Sequence, residues 1–345
     1  MRPILLTALL LVPFLANAQD PSPAPITPEV WREAVVSVTD IDRTARFFRE
    51  IGGFVEHWRG PLDPTVVAGW GLPAAASGEA LLLGPEGARS GLLRLVRFDG
   101  VADRVPTRPG ARAWDTGCYF SLMVRMKDLA SIYADAIALG WWTETPITYL
   151  EFGASKLNVV IFRGPDGVQV QGYERLEPPL PEAVGPFDRM TRPFNIMQMV
   201  RDRDIAYGFF RDVLGFATFY NGPPYLAKEP EYMPLGIPRN LTTTVSYRAA
   251  IVFPVPGEFG RMEMIEIDDG LEGRDYADRC RAPNLGTLAV RFPVADARVA
   301  AATIVERGGR LEREPFVVEL APWGQVLVTE VRAPDGGLIQ FLETD

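Results

Sequence analysis

Apolar and polar positions alternate along "REAVVSVTD" (32–40), as in a strand with one buried face. The spacing then becomes helical in "DIDRTARFFREIGG" (40–53), with an acidic start and a glycine stop, which predicts a helix of about three turns. Strand-like stretches follow around 54–58, around 80–83 and in "GLLRLVRFD" (91–99). The unit so predicted is strand, helix, then three strands.

The same order can be read four times. The third copy follows the first at a constant displacement: Asp40 matches Asp202, Phe47 matches Phe209, Gly53 matches Gly215 and Pro61 matches Pro223. The second and fourth copies share "LMVRM" (122–126) with "LAVRF" (288–292), and "RGPDGVQVQ" (163–171) with "RAPDGGLIQ" (332–340). In each Pro-Asp-Gly the proline fixes one dihedral and the glycine supplies a positive φ, so a tight turn is expected before each last strand. The copies are few and fall into unlike pairs, which predicts a closed, paired architecture rather than a solenoid. Boundaries are expected as a leader over 1–18, a loose segment over 19–29, one domain over 30–175, a Pro-rich linker over 176–190 and a second domain over 191–345, each domain built from two consecutive units.

The leader is read from Arg2, the apolar run 4–15 and "ANA" at 16–18, with cleavage after Ala18. That run is too short to span a bilayer, so the expected location is periplasmic or secreted, without a membrane anchor. The formal net charge is −9 and no block of basic residues occurs, which argues against nucleic acid or an anionic membrane as partner. Monomer and homodimer are both open. Cys118 and Cys280 fit either one disulfide or two separate buried thiols.

With the repeats in place, "VVSVTDIDRTARFFREIGGF", "IMQMVRDRDIAYGFFRDVLGF" and the two "PDG" strands resemble the vicinal oxygen chelate superfamily, which holds glyoxalase I, bleomycin-resistance proteins and extradiol dioxygenases. The resemblance covers nearly all of the chain after the leader. It implies an α+β fold of four βαβββ modules paired into two curled half-barrel sheets, with metal ligands supplied by first and last strands. Transferred position by position, those ligand places hold Glu33, Arg94, Ser121 and Gln171 in the first half, and Asn195, Glu263, Thr287 and Gln340 in the second. The chain's one histidine, His57, lies on a second strand instead.

Serine, threonine and amides are weak neutral donors, so these sets are expected to hold no transition metal and no cofactor, with room at most for a loosely held Mg²⁺ or Ca²⁺. Carboxylates in a partly apolar cavity can instead move protons. Glu33 and Glu263 are therefore the candidate acid–base residues. Arg94, Ser121, Gln171, Asn195, Thr287, Gln340, His57 and Tyr173 are candidate substrate-binding residues. Glu33 beside Arg94 also fits a plain buried ion pair, and Trp58, Trp70 and Trp323 fit either aromatic walls or core. Two functions stand side by side: an exported, metal-independent lyase or isomerase acting on a small hydrophobic molecule, and a sequestration protein for such a molecule of the bleomycin-resistance type.

Overall fold

The computed structural model describes residues 22–110, 112–268 and 271–344; the expected leader lies outside them. Unit one holds β1 (Glu33–Ser37), α1 (Ile41–Arg46), β2 (Val55–Pro61), α2 (Pro64–Gly69), β3 (Ser77–Gly84) and β4 (Leu92–Asp99). Unit two holds β5 (Tyr119–Arg125), α3 (Leu129–Ala138), β6 (Trp142–Thr143), β7 (Thr148–Phe152), β8 (Ser155–Arg163) and β9 (Gln169–Glu177). Unit three holds β10 (Asn195–Met199), α4 (Arg203–Gly208), β11 (Ala217–Asn221), β12 (Tyr247–Phe253) and β13 (Arg261–Ile267). Unit four holds β14 (Gly286–Pro293), α5 (Ala297–Glu306), β15 (Leu311–Glu319), β16 (Gln325–Arg332) and β17 (Leu338–Thr344).

Local chemistry explains the helices. Asp40 and Asp202 cap α1 and α4, accepting from the Arg43 amide and from the Asp204 and Ile205 amides. Both helices then widen into one π-helical turn, at Phe47–Ile51 and Phe209–Val213, and stop just before Gly53 and Gly215, whose φ of +66° and +71° only glycine adopts without cost.

The sheets join different units from those expected. One runs β15-β16-β17-β14-β1-β4-β3-β2 and the other β11-β12-β13-β10-β5-β9-β8-β6. Unit one therefore pairs with unit four, and unit two with unit three, so each sheet draws on both sides of the 176–190 linker. The physical reason is visible in the core: consecutive units pack back to back through their helical faces. Phe47 of unit one stacks on Trp141 of unit two at 4.1 Å, and Phe216 of unit three meets Phe292 of unit four at 5.5 Å. With those faces used, only the first-strand edges remain to pair, antiparallel, as β1 with β14 and β10 with β5. The turn aspartates reinforce the same contacts: Asp166 accepts from the Thr39 amide and Asp335 from the Arg201 amide.

One smaller expectation changes, and one open alternative is decided. Residues 22–29 are tied down rather than loose: the Ile26 amide donates to the Leu214 carbonyl, and the buried Thr27 hydroxyl donates to the Pro293 carbonyl. Cys118 and Cys280 form a disulfide between the segment leading into β5 and the one leading into β14, thus between the two sheets. Closing so long a loop restricts the unfolded chain strongly. Reduction is expected to lower unfolding free energy by about 2–5 kcal/mol, read as a lower denaturant midpoint for Cys118→Ser/Cys280→Ser than for the parent protein.

Candidate active site

Each sheet has a face turned away from the helices. In the first sheet this concave face is filled. Glu33 on β1 is wholly buried and is gripped by two guanidinium groups. Arg94 on β4 donates through Nε and Nη2 at 2.8 and 3.0 Å, and Arg291 on β14 donates through Nη1 at 2.6 Å. Trp323 Nε1 adds a fourth bond at 3.2 Å. Arg291 Nε also donates to Gln340 Oε1 at 2.6 Å, and Gln340 in turn donates to Glu330. Burial alone would raise the Glu33 pKa, but Arg94 and Arg291 outweigh it and hold the carboxyl at about 2. Trp58 lies over Arg94 and Trp70 over Arg291, each at 5.7 Å, so these rings seal the face. Glu33 has no oxygen left for a substrate proton: the plain ion-pair alternative describes it, and the acid–base assignment is corrected.

In the second sheet the corresponding positions are neutral or unpaired. Asn195 on β10 occupies the place of Glu33, and Glu263 on β13 the place of Arg94. Asn195 Nδ2 donates to Glu263 Oε2 at 2.8 Å; Oε1 of Glu263 has no hydrogen-bond partner among the described residues. The wall around it is apolar and soft, with Met123, Met197, Phe194 and Ile265 in one cluster, and the β11–β12 connection brings Met233, Leu235 and Ile237 onto it. Burial raises the Glu263 pKa to about 7, against the lowering effects of the Asn195 bond and of Arg261. Beside it Ser121 Oγ donates to Gln171 Oε1 at 3.3 Å, and Gln171 Nε2 donates to the Tyr173 hydroxyl at 2.7 Å. Burial, with Glu263 nearby, pushes the Tyr173 pKa well above the usual phenol value, so its proton stays on and remains available to an acceptor.

The groupings read along the chain are thus exchanged. Glu33 and Arg94 meet Gln340 rather than Ser121 and Gln171, while Asn195 and Glu263 share their face with Ser121, Gln171 and Tyr173. Thr287 joins neither network: it stands opposite Val36, beyond a bulge in the β1–β14 ladder, and makes no side-chain hydrogen bond among the described residues. His57 is half-buried on β2, its Nε2 donating to the Pro85 carbonyl at 3.1 Å, apart from both networks. Arg291 and Glu330 in the first sheet, and Arg125, Arg175 and Arg261 in the second, are the functional neighbours that sequence reading passed over. The arginines of "LMVRM" and "LAVRF" served there as repeat markers, although the strands put Met123 rather than Arg125 where Arg291 stands.

The donor chemistry of the second face does not fit a tightly held transition metal. It offers one carboxylate, two amides and two hydroxyls, with the Arg261 cation acting on that carboxylate. Among the described residues no three His, Cys, Asp or Glu side chains gather closely enough to hold a metal ion.

Comparison with models of known families and with curated proteins found no match. Solved structures do match. The E144Q variant of glyoxalase I from Zea mays is 16% identical, covers 91% of this chain and 93% of its own, and superimposes with a TM-score of 0.60. Unmutated glyoxalase I from Zea mays gives 15%, 91%, 92% and 0.59. A putative dioxygenase from Bacillus subtilis gives 12%, 91%, 85% and 0.54. At such identities the likeness carries the fold and leaves the chemistry open.

Proposed function

We propose, on the premise that this chain has the vicinal oxygen chelate fold, that it is an exported lyase or isomerase whose working site is the cup formed by units two and three. The substrate is a small, mainly apolar molecule with a carbonyl group, and Glu263 moves a proton next to that carbonyl without a metal. The observation that carries this reading is a single buried carboxyl poised near pH 7 with one oxygen unpaired. Asn195 fixes Oε2, which aims Oε1 at the cup. As the proton leaves carbon, negative charge grows on the carbonyl oxygen, and the Tyr173 hydroxyl, oriented by Gln171, is placed to donate to it. The apolar wall excludes water and strengthens both interactions. Export is supported by the leader-like start and by the disulfide, which persists in oxidising compartments.

The test begins with the free protein. In a ¹³C-carboxyl NMR titration one glutamate signal is expected to titrate near pH 7 and to vanish in Glu263→Gln; a Glu263 signal titrating near the ordinary 4.5 refutes the poised carboxyl. Binding and turnover are then screened separately over small aryl and alkyl carbonyl compounds. Binding without turnover across that set would assign the cup to sequestration instead.

A further inference from the structure

The two cups differ at one arginine. The shared spelling of "LMVRM" and "LAVRF" aligns Arg125 with Arg291, but the ladders put Met123, not Arg125, in the place of Arg291. In the first sheet Glu33 stands directly opposite Arg291, and the two bond. In the second sheet Asn195 stands opposite Met123, two residues before Arg125. Arg125 lies two residues further along the same face of β5, past the position that faces Asn195, and that facing residue is in any case an amide. Arg125 is therefore left nearly without a counter-charge. Its side chain is buried and makes no hydrogen bond among the described residues, and its closest carboxylate, Glu258, is 3.7 Å away.

Two more arginines converge on the same end of the cup. Arg261 lies on β13 two residues before Glu263 and so on the same face, while Arg175 follows Gln171 and Tyr173 along one face of β9. Arg261 reaches Glu258 only at 3.6 Å and bonds the Gly257 carbonyl at 2.9 Å. The Nε atoms of Arg125, Arg175 and Arg261 are all buried and unpartnered. Phe194 and Phe219 hold the Arg125 and Arg261 guanidinium groups over their rings at 4.0 and 3.9 Å. Burial lowers the pKa of all three, and neighbouring arginines lower those of Arg125 and Arg261 further. Buried cations cost free energy unless paired, and here one part-exposed carboxylate is shared among three of them.

We infer that Arg125, Arg175 and Arg261 form an anion clamp, and that the natural ligand of the second cup is an apolar carboxylic acid whose carboxylate sits in this clamp. Its carbon skeleton then lies against the methionine and aromatic wall, with the reacting carbon towards Glu263. This rests on the proposal that the second cup is the ligand site. A carboxylate is a fitting anion: it matches guanidinium forks two oxygens at a time, and it supplies negative charge where three arginines outnumber Glu258.

Naphthalene-2-carboxylate and its uncharged amide, which share one apolar body, serve as paired probes in fluorescence titrations of the purified protein. The carboxylate is expected to bind about ten-fold or more tightly than the amide. Arg125→Gln and Arg175→Gln should each weaken the carboxylate about ten-fold and leave the amide within about two-fold. Arg175 is only half-buried, so its variant keeps the test usable if Arg125→Gln does not fold, as melting curves would show. Equal affinity for both probes, or arginine variants that leave the carboxylate unchanged, would overturn the clamp. Ala249→Trp, which fills the apolar wall, separates the two levels. If it abolishes amide binding, the cup stands and only the clamp is judged by the arginines; if neither probe responds to it, the cup itself is not the ligand site and both readings fall.

Discussion

Glu263→Gln is expected to cut turnover of any substrate of this protein by about 10²–10⁴-fold while changing its binding affinity little. Glutamine keeps the volume and can still accept from Asn195 Nδ2, so the cup stays built and only the transferable proton is lost. Expected losses confined to kcat, with KM nearly constant, are the mark of a group that acts in the transition state alone. The kcat/KM of the parent protein should change with an apparent pKa near 7, and that step should disappear in the variant. A stability effect accompanies it. The native-state pKa lies above the ordinary 4.5, so the folded protein binds more protons than the unfolded chain between about pH 4.5 and 7. Stability from this group is thus fully present below about 4.5 and is lost as pH rises through 7, by about 3 kcal/mol in total. Glu263→Gln removes that slope, so denaturation midpoints of variant and parent should diverge with rising pH, the variant being the more stable at pH 8. A variant that retains full turnover would end the acid–base assignment.

The second large effect belongs to the other cup and has the opposite character. Glu33→Gln leaves Arg94 and Arg291 buried without their carboxylate, and is expected to cost about 3–5 kcal/mol of stability, because the penalty of stranding two cations far exceeds the net worth of the intact pairs. Here the native pKa of about 2 lies below the ordinary value. Its contribution is present above about pH 4.5 and is lost as pH falls through 2, so parent and variant should converge under strong acid. Activity and ligand affinity per folded molecule should be unchanged. A variant that folds well but has lost binding would move the working site to the first cup.

Much of this could be read in the chain, for definite reasons. Strand alternation, capping aspartates and paired glycine stops are local signals, and each copy repeated them, so the fold and its four units were visible before any coordinates. The Asn195–Glu263 contact was visible too, since both lie on strands of one unit. The partner unit was not. Which edges meet is decided by the back-to-back contacts of Phe47 with Trp141 and of Phe216 with Phe292, between residues far apart in sequence, and no local pattern announces them. Thr287 was lost for a different reason. Counting back four residues from Arg291 copied the count from Arg125, but by register Met123 stands where Arg291 does, so Ala289 rather than Thr287 occupies the place of Ser121. The clamp arginines were overlooked because an arginine in a strand ordinarily implies a close partner, and only the structure shows that Arg125 has no acid opposite it and meets Glu258 only at 3.7 Å.

The way consecutive units turn their backs on each other also bears on how this protein could change over generations. A symmetrical pair of identical subunits must alter both of its hollows whenever a gene changes one. Here the two hollows are encoded by separate stretches of a single chain, so a substitution around the brace at Glu33 need not alter the surroundings of Glu263, and neither change obliges the other to follow.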